Sequence, residues 1–119
     1  MEPGARLYLS ADGAAGVFGD GKWRLLAAVK ECGSIQEAAL VLGRGYRKAW
    51  GDIKRTEQGL GRRLVMKRRG GPDGGSTSLT EFGERLIAAW TRYREEVVNS
   101  MESAYSIYLE GVVEGDTDE

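Results

Sequence analysis

Glycines cut residues 20 to 61 into three short apolar stretches, and this punctuation limits what the chain can fold into more than any other feature. Gly33 follows Trp23, Leu25, Leu26, Ala27, Ala28 and Val29; Gly43-Arg44-Gly45 follows Ile35, Ala38, Ala39 and Leu42; Gly59 and Gly61 follow Tyr46, Ala49, Trp50 and Ile53. Each set recurs at helical spacing, and glycine stops a helix because it enters the left-handed backbone region at little cost. The pattern predicts helices over Asp20 to Glu31, from Ser34 to about Leu42, and over Tyr46 to Gln58. Ser34-Ile35-Gln36-Glu37 has capping-box spacing, so the second helix should begin at Ser34.

Two hairpins should flank these helices. Residues Ala5 to Ser10 alternate, with Leu7 and Leu9 on one face, and Ala11-Asp12-Gly13 signals a turn before Ala14 to Phe18. Leu64 to Arg69 reads as a strand, Gly70 to Gly75 as a flexible tip, and Ser76 to Leu79 as the returning strand. Thr80 is a good N-cap, and Phe82, Leu86, Ala89, Tyr93, Val97, Met101, Ala104 and Tyr108 then recur every three to four residues. One long helix is expected to about Glu110, ended by Gly111. The fold class is therefore mainly α with small β-hairpins. Residues 1–79 form a winged helix-turn-helix domain with an N-terminal hairpin, 80–112 a long C-terminal helix and 113–119 an acidic tail.

Net charge, at -1, conceals a segregation along the chain. Between Arg44 and Arg69 lie ten cations against Asp52 and Glu57, whereas beyond Arg94 there are eight carboxylates and no cation. A basic middle with an acidic end points to a polyanionic partner. On a helical wheel Tyr46, Ala49, Trp50 and Ile53 face the core, and Arg47, Lys48, Lys54 and Arg55 project oppositely, with Gly51 at the middle of the basic face. Trp23 and Trp50 belong with the apolar stripes.

Enzymatic readings fall away by count. With no histidine and a single cysteine, Cys32, there is no disulfide framework, zinc site or imidazole-based triad. Gly19-Asp20-Gly21-Lys22 lacks the Ser or Thr that a P-loop places after its lysine, and Glu95 and Glu96 diverge by about 100° on a helix. No catalytic residue, metal or cofactor is expected. No apolar run approaches the roughly 20 residues of a membrane span, and Met1 to Arg6 does not resemble a secretory leader, so a cytoplasmic, non-membrane protein is expected.

Two short helices at a tight turn, the second with a basic face, followed by a basic hairpin, give the order of a winged helix-turn-helix on duplex DNA. Arg47 and Lys48, near the start of the third helix, are the candidates for base edges in the major groove. Lys54, Arg55, Arg62 and Arg63 are candidate backbone contacts, Arg44 is a further candidate DNA contact, and Tyr46 could stack on a sugar or base or set its hydroxyl on a phosphate. Lys67, Arg68 and Arg69 would carry the wing over the backbone or into the minor groove.

The last helix implies a partner. About 30 residues at 1.5 Å each reach about 45 Å, whereas a body of about 80 residues has a radius of gyration near 12 Å. The overhang should pack on the same helix of a second subunit through Leu86, Ala89, Trp90, Tyr93, Val97, Val98, Met101, Ala104, Tyr105 and Tyr108. A two-fold homodimer would then address an inverted repeat.

Gly33-Ser34-Ile35-Gln36-Glu37-Ala38-Ala39, Tyr46-Arg47-Lys48-Ala49-Trp50, Arg63-Leu64-Val65, Gly70-Gly71 through Gly74-Gly75, and Leu79-Thr80-Glu81-Phe82-Gly83 together resemble one family. It is the DNA-binding domain of the ModE-type molybdate-responsive regulators; the LysR-type DNA-binding domain is similar more distantly. The resemblance spans about Ala5 to Arg94 and implies a dimeric winged-helix transcription factor. The sequence ends where the molybdate-binding C-terminal module of such proteins would begin, so no such module is expected and no oxyanion-sensing residue carries over. Control would then fall to a separate sensor or effector protein, to protein abundance, or to neither. The alternatives are a winged-helix protein-interaction module, using the long helix and acidic tail, and a sequence-independent architectural DNA-binding protein.

Overall fold

The computed structural model describes residues 1–12, 14–68 and 76–115. Strands β1 (Tyr8–Ala11) and β2 (Ala14–Gly19) form an antiparallel hairpin that leads into helix α1 (Asp20–Cys32). Helices α2 (Ile35–Val41) and α3 (Tyr46–Leu60) follow, then the antiparallel wing strands β3 (Val65–Arg68) and β4 (Ser76–Leu79). Helix α4 (Glu81–Ala104) continues through a π-helical turn over Tyr105–Leu109 into a short α5 (Glu110–Val113). The expected mainly helical architecture with two small hairpins and a long last helix is the one observed.

Local chemistry explains most boundaries. Gly33 and Gly61 each take φ 72°, and their amides close onto Val29 and Glu57 carbonyls, ending α1 and α3 in left-handed caps. Ser34 Oγ accepts the Glu37 amide at 3.1 Å, so the predicted N-cap of α2 is present. Thr80 does the same for α4, accepting the Gly83 amide at 3.0 Å while its hydroxyl donates to the Arg63 carbonyl at 2.7 Å. The start of α4 is thereby tied to the segment that enters the wing.

The core is built from one face of β2, of the wing strands and of helices α1 to α4. Phe18 from β2, Leu25, Leu26 and Val29 from α1, Ile35, Ala38 and Ala39 from α2, and Ala49 and Ile53 from α3 are all buried. Leu64, Val65 and Leu79 add the base of the wing, and Ile87 and Trp90 add α4. Small residues let backbones approach: a Cβ on Gly83 would stand 2.5 Å from the Leu64 carbonyl oxygen, and one on Gly59 would stand 2.8 Å from Val17 Cγ1. Gly59 is thus inside α3, where it admits β2, and the helix ends at Leu60 rather than Gln58.

Asp20 fastens three elements at one point. Its Oδ1 accepts Trp90 Nε1 at 2.9 Å and Arg94 Nε at 3.1 Å, and its Oδ2 accepts the Leu7 amide at 3.3 Å. Burial pushes this carboxyl up, but the hydrogen bonds from Trp90 and Leu7 and the Arg94 charge outweigh it and hold it below the usual carboxylate range. Trp90 also meets Phe18 edge-on, with ring centroids 5.1 Å apart.

Several expectations are corrected. Tyr46 does not face the core; at the first position of α3 it lies beyond the edge of the buried stripe and is 43% exposed. Trp50 is half-buried, at the seam between α3 and the wing. Leu9 is exposed whereas Leu7 is half-buried against the core, so the two do not share a buried face. Trp90 is buried in the core with its indole N–H on Asp20, so it is not available for the expected dimer contact, whereas Leu86 is half-buried against that core. Gly111 does not end the last helix, which continues to Val113 past the π-helical turn.

Beyond Arg94 the helix leaves the body. The molecule measures 69 × 31 × 22 Å with a radius of gyration of 18.5 Å. A compact chain of this length would be near 13.5 Å. Among the described residues, no helix is long and apolar enough to cross a membrane.

Candidate nucleic-acid interface

Helix α3 presents the basic surface. Ala49, Ile53 and Thr56 fix its rotation by burying one face, which turns Arg47, Lys48, Lys54 and Arg55 outward. Its N-cap, Gly45, supplies no side-chain hydrogen bond, so the first amides and the positive end of the helix dipole face outward uncapped.

The cations on this surface differ in how far the protein has already engaged them. Arg47 and Lys48 are exposed, and neither has a carboxylate within 4 Å among the described residues. Arg55 is pulled back to Asp52 at 2.6 Å, which lays its guanidinium across the Gly51 position. The middle of the basic face is therefore covered by Arg55, and Gly51 does not leave it open. Lys54 sits 3.6 Å from Glu57 and over the Trp50 ring at 4.8 Å.

Arg44 is mostly turned inward, donating to the Gly21 carbonyl at 3.2 Å, with Asp52 at 3.9 Å. It braces the α2–α3 turn against α1. Arg62 stacks on Phe82 at 4.2 Å, and Arg63 donates to the Val65 carbonyl at 3.4 Å. On the wing, Lys67 lies over the other side of the seam, 4.6 Å from the Trp50 ring centre, and Arg68 is exposed. Arg69 and the Gly70 to Gly75 tip lie outside the described residues. The structure thus brings Tyr46, Arg47, Lys48, Lys54 and Lys67 around α3 and the wing base, and sets Arg44 apart as a brace.

Two carboxylates escaped the sequence reading. Glu57 is buried, and its Oε2 accepts the Leu64 and Val65 amides at 2.7 and 3.3 Å. It holds the wing's entry against α3, a task that neither amide satisfies within the β3–β4 ladder. Asp52 sets the Arg44 and Arg55 side chains. Both looked like incidental acids in a basic stretch; the signal was that each stands three or four residues from a cation on α3.

Along α4 and the π-helical turn, Ala89, Tyr93, Ala104 and Tyr108 are exposed and Val97, Val98, Met101 and Tyr105 are half-buried. Ile107, Leu109, Val112 and Val113 add further exposed apolar surface. The Tyr105 hydroxyl is hydrogen-bonded to Glu114, which pushes its pKa up to about 12. Glu114 in turn lies 3.1 Å from the N-terminal amine.

Comparison with known proteins places these features in context. The model of the bacterial regulatory helix-turn-helix proteins of the lysR family matches residues 21–84. The molybdenum transport protein ModE of Azotobacter vinelandii is 33% identical over 98 residues, covering 82% of this chain and 36% of that protein. The transcriptional regulator ModE of Haemophilus influenzae is 38% identical over 64 residues, 54% of this chain and 25% of that one. The chain therefore spans about a third or less of the length of these relatives. Among solved structures, ArgP from Mycobacterium tuberculosis matches 69% of this chain and 30% of its own, at 28% identity and a TM-score of 0.51.

Proposed function

The chain belongs to the lysR family of bacterial regulatory helix-turn-helix proteins, and on that premise we propose that it is a homodimeric, sequence-specific binder of double-stranded DNA that regulates transcription. The observation that carries this reading is the pair Arg47 and Lys48, exposed at the start of α3 with no carboxylate within 4 Å among the described residues. Held in the major groove, a helix about 10–12 Å across presents its first turn to base edges, where guanine O6 and N7 accept from Arg or Lys. The uncapped N-terminus of α3 favours a phosphate beside it.

The remaining cations take backbone roles. Lys54, Arg55, Arg62 and Arg63 lie further along α3 or beyond it, and Lys67 and Arg68 extend that surface along the wing. Arg55 exchanges Asp52 for a phosphate, so its contribution is partly offset by the lost ion pair. Residues 80–112 supply the dimer contact through Leu86, Ala89, Tyr93, Val97, Val98, Met101, Ala104, Tyr105 and Tyr108. The two recognition helices then address an inverted repeat with half-sites about 34 Å apart, or a multiple of that spacing.

Competition binding to a preferred duplex tests the reading. Arg47→Ala and Lys48→Ala should each weaken binding by about 1–3 kcal/mol, roughly 5- to 150-fold, and relax discrimination at one base position. Equal binding by the wild type and the double variant would refute it in favour of a protein-interaction module. Steep salt dependence without preference among duplexes would favour an architectural protein.

A further inference from the structure

The geometry points to a second anion site, in the cavity between the N-terminal hairpin, the start of α1 and the flank of α3, that takes a phosphate-type oxyanion. The cavity holds about 690 Å³, within the range of small-ligand pockets. Six cationic side chains line it, Arg6, Lys22, Arg24, Arg44, Lys48 and Arg94, against the carboxylates of Asp20 and Asp52.

Those two carboxylates are already committed. Asp20 holds Arg94 at 3.1 Å, and Asp52 holds Arg55 at 2.6 Å outside the cavity, with Arg44 at 3.9 Å. Arg6, Arg24 and Lys48 have no carboxylate within 4 Å among the described residues, and Lys22 Nζ donates to a neutral acceptor, the Gly16 carbonyl, at 2.9 Å. Besides Lys48, which the DNA reading assigns to base edges, three cations with little compensation therefore line one concavity, where like charges repel and the field of an anion is concentrated.

The chemistry favours phosphate over a single carboxylate. Several uncompensated charges call for a polyvalent ligand, and a guanidinium fork matches two oxygens of a phosphate group. The α1 N-terminus beside it has Gly19 as its N-cap and so no side-chain cap; its first amide, on Asp20, donates to the Leu7 carbonyl at 3.1 Å. Either a backbone phosphate of bound DNA or a free polyphosphate-bearing molecule offers this chemistry. The first source rests on the DNA-binding reading and the second does not.

Arg6→Ala/Arg24→Ala removes two lining cations that are exposed and make no side-chain hydrogen bond among the described residues. Arg85→Ala/Arg92→Ala removes the same charge from α4, away from the cavity. Tripolyphosphate is titrated calorimetrically into all three proteins, and duplex binding is followed against salt. Saturable tripolyphosphate binding that falls tenfold or more in the cavity variant alone establishes a free-anion site. No saturation, with the salt slope of duplex binding reduced by about 1 to 2 in the cavity variant alone, assigns the site to DNA phosphates. Equal behaviour of the wild type and the cavity variant in both assays, or equal loss in both variants, overturns the inference. Should the double variant melt early, Arg24→Gln is read in its place. A wild type that binds no duplex refutes the DNA reading, and the tripolyphosphate titration alone then decides the cavity.

Discussion

Replacing Asp20 with alanine should cost the protein about 3 kcal/mol. The carboxylate accepts from Trp90 Nε1, Arg94 Nε and the Leu7 amide, at 2.9, 3.1 and 3.3 Å. A hydrogen bond to a charged group contributes about 1.5–3 kcal/mol net, and a buried donor left unpaired costs about 1–3 kcal/mol. Trp90 is 4% exposed, so its indole N–H pays most of that penalty, whereas the Arg94 side chain, 30% exposed, regains water and adds little. Summing a full cost for Trp90 with reduced ones for Leu7 and Arg94 gives the figure of about 3 kcal/mol. Urea unfolding at fixed protein concentration, followed by tryptophan fluorescence, measures it. Asp20→Asn, which keeps one acceptor, should lose about half as much. A loss below about 0.5 kcal/mol for the alanine variant would show that the three-way fastening contributes nothing, and would refute the reasoning.

The same carboxylate gives a pH dependence with a definite sign. Its folded pKa lies below the ordinary value of 3.8, so the unfolded chain takes up this proton first as pH falls. The stabilisation is fully present above that value and is lost progressively below about pH 4, and Asp20→Asn should flatten that part of the stability curve.

Three further outcomes follow from other contacts. Glu57→Ala leaves the buried Leu64 and Val65 amides without their acceptor; it should cost about 2–3 kcal/mol in urea unfolding and speed hydrogen exchange at those two amides, with the α1 amides unaffected by local opening. Gly83→Ala puts a Cβ 2.5 Å from the Leu64 carbonyl oxygen, so it should destabilise by about 1–3 kcal/mol in the same assay, against a helix propensity that alone favours alanine. Absorbance titration of the five tyrosines should show one late phenol near pH 12, removed by Tyr105→Phe or by Glu114→Gln.

Features set by neighbours in sequence were readable before any coordinates. Gly33 and Gly61 end helices, Ser34 and Thr80 cap them, and Ala49 and Ile53 orient α3, because each acts within one or two turns. Fastenings between distant segments were not readable. Trp90 and Asp20 are 70 residues apart, so the sequence around Trp90, read as a dimer contact, gave no sign of which surface it covers or of the indole partner. The same limit hid the division of labour among the cations. Arg44 counts as one more charge in the sequence, but the Gly21 carbonyl, 23 residues away, makes it a brace. Gly59 looked like a stop because its reason, contact with Val17, comes from a strand more than forty residues earlier. The cavity cations Arg6, Lys22 and Arg24 lay outside the basic stretch; the packing of α1 on α3 and the return of the N-terminal segment to α1 set them beside Lys48.

Sequence-specific recognition by a dimer through α3 carries the proposed function. Fragmented genomic DNA from the source organism, selected on the purified protein at about 0.15 M salt and sequenced, tests it most directly, because that salt suppresses purely electrostatic retention. The expected result is enrichment of an inverted repeat with half-sites one or more helical turns apart, lost with Arg47→Ala/Lys48→Ala. Retention of unrelated fragments, or the same enrichment with the double variant, would contradict it.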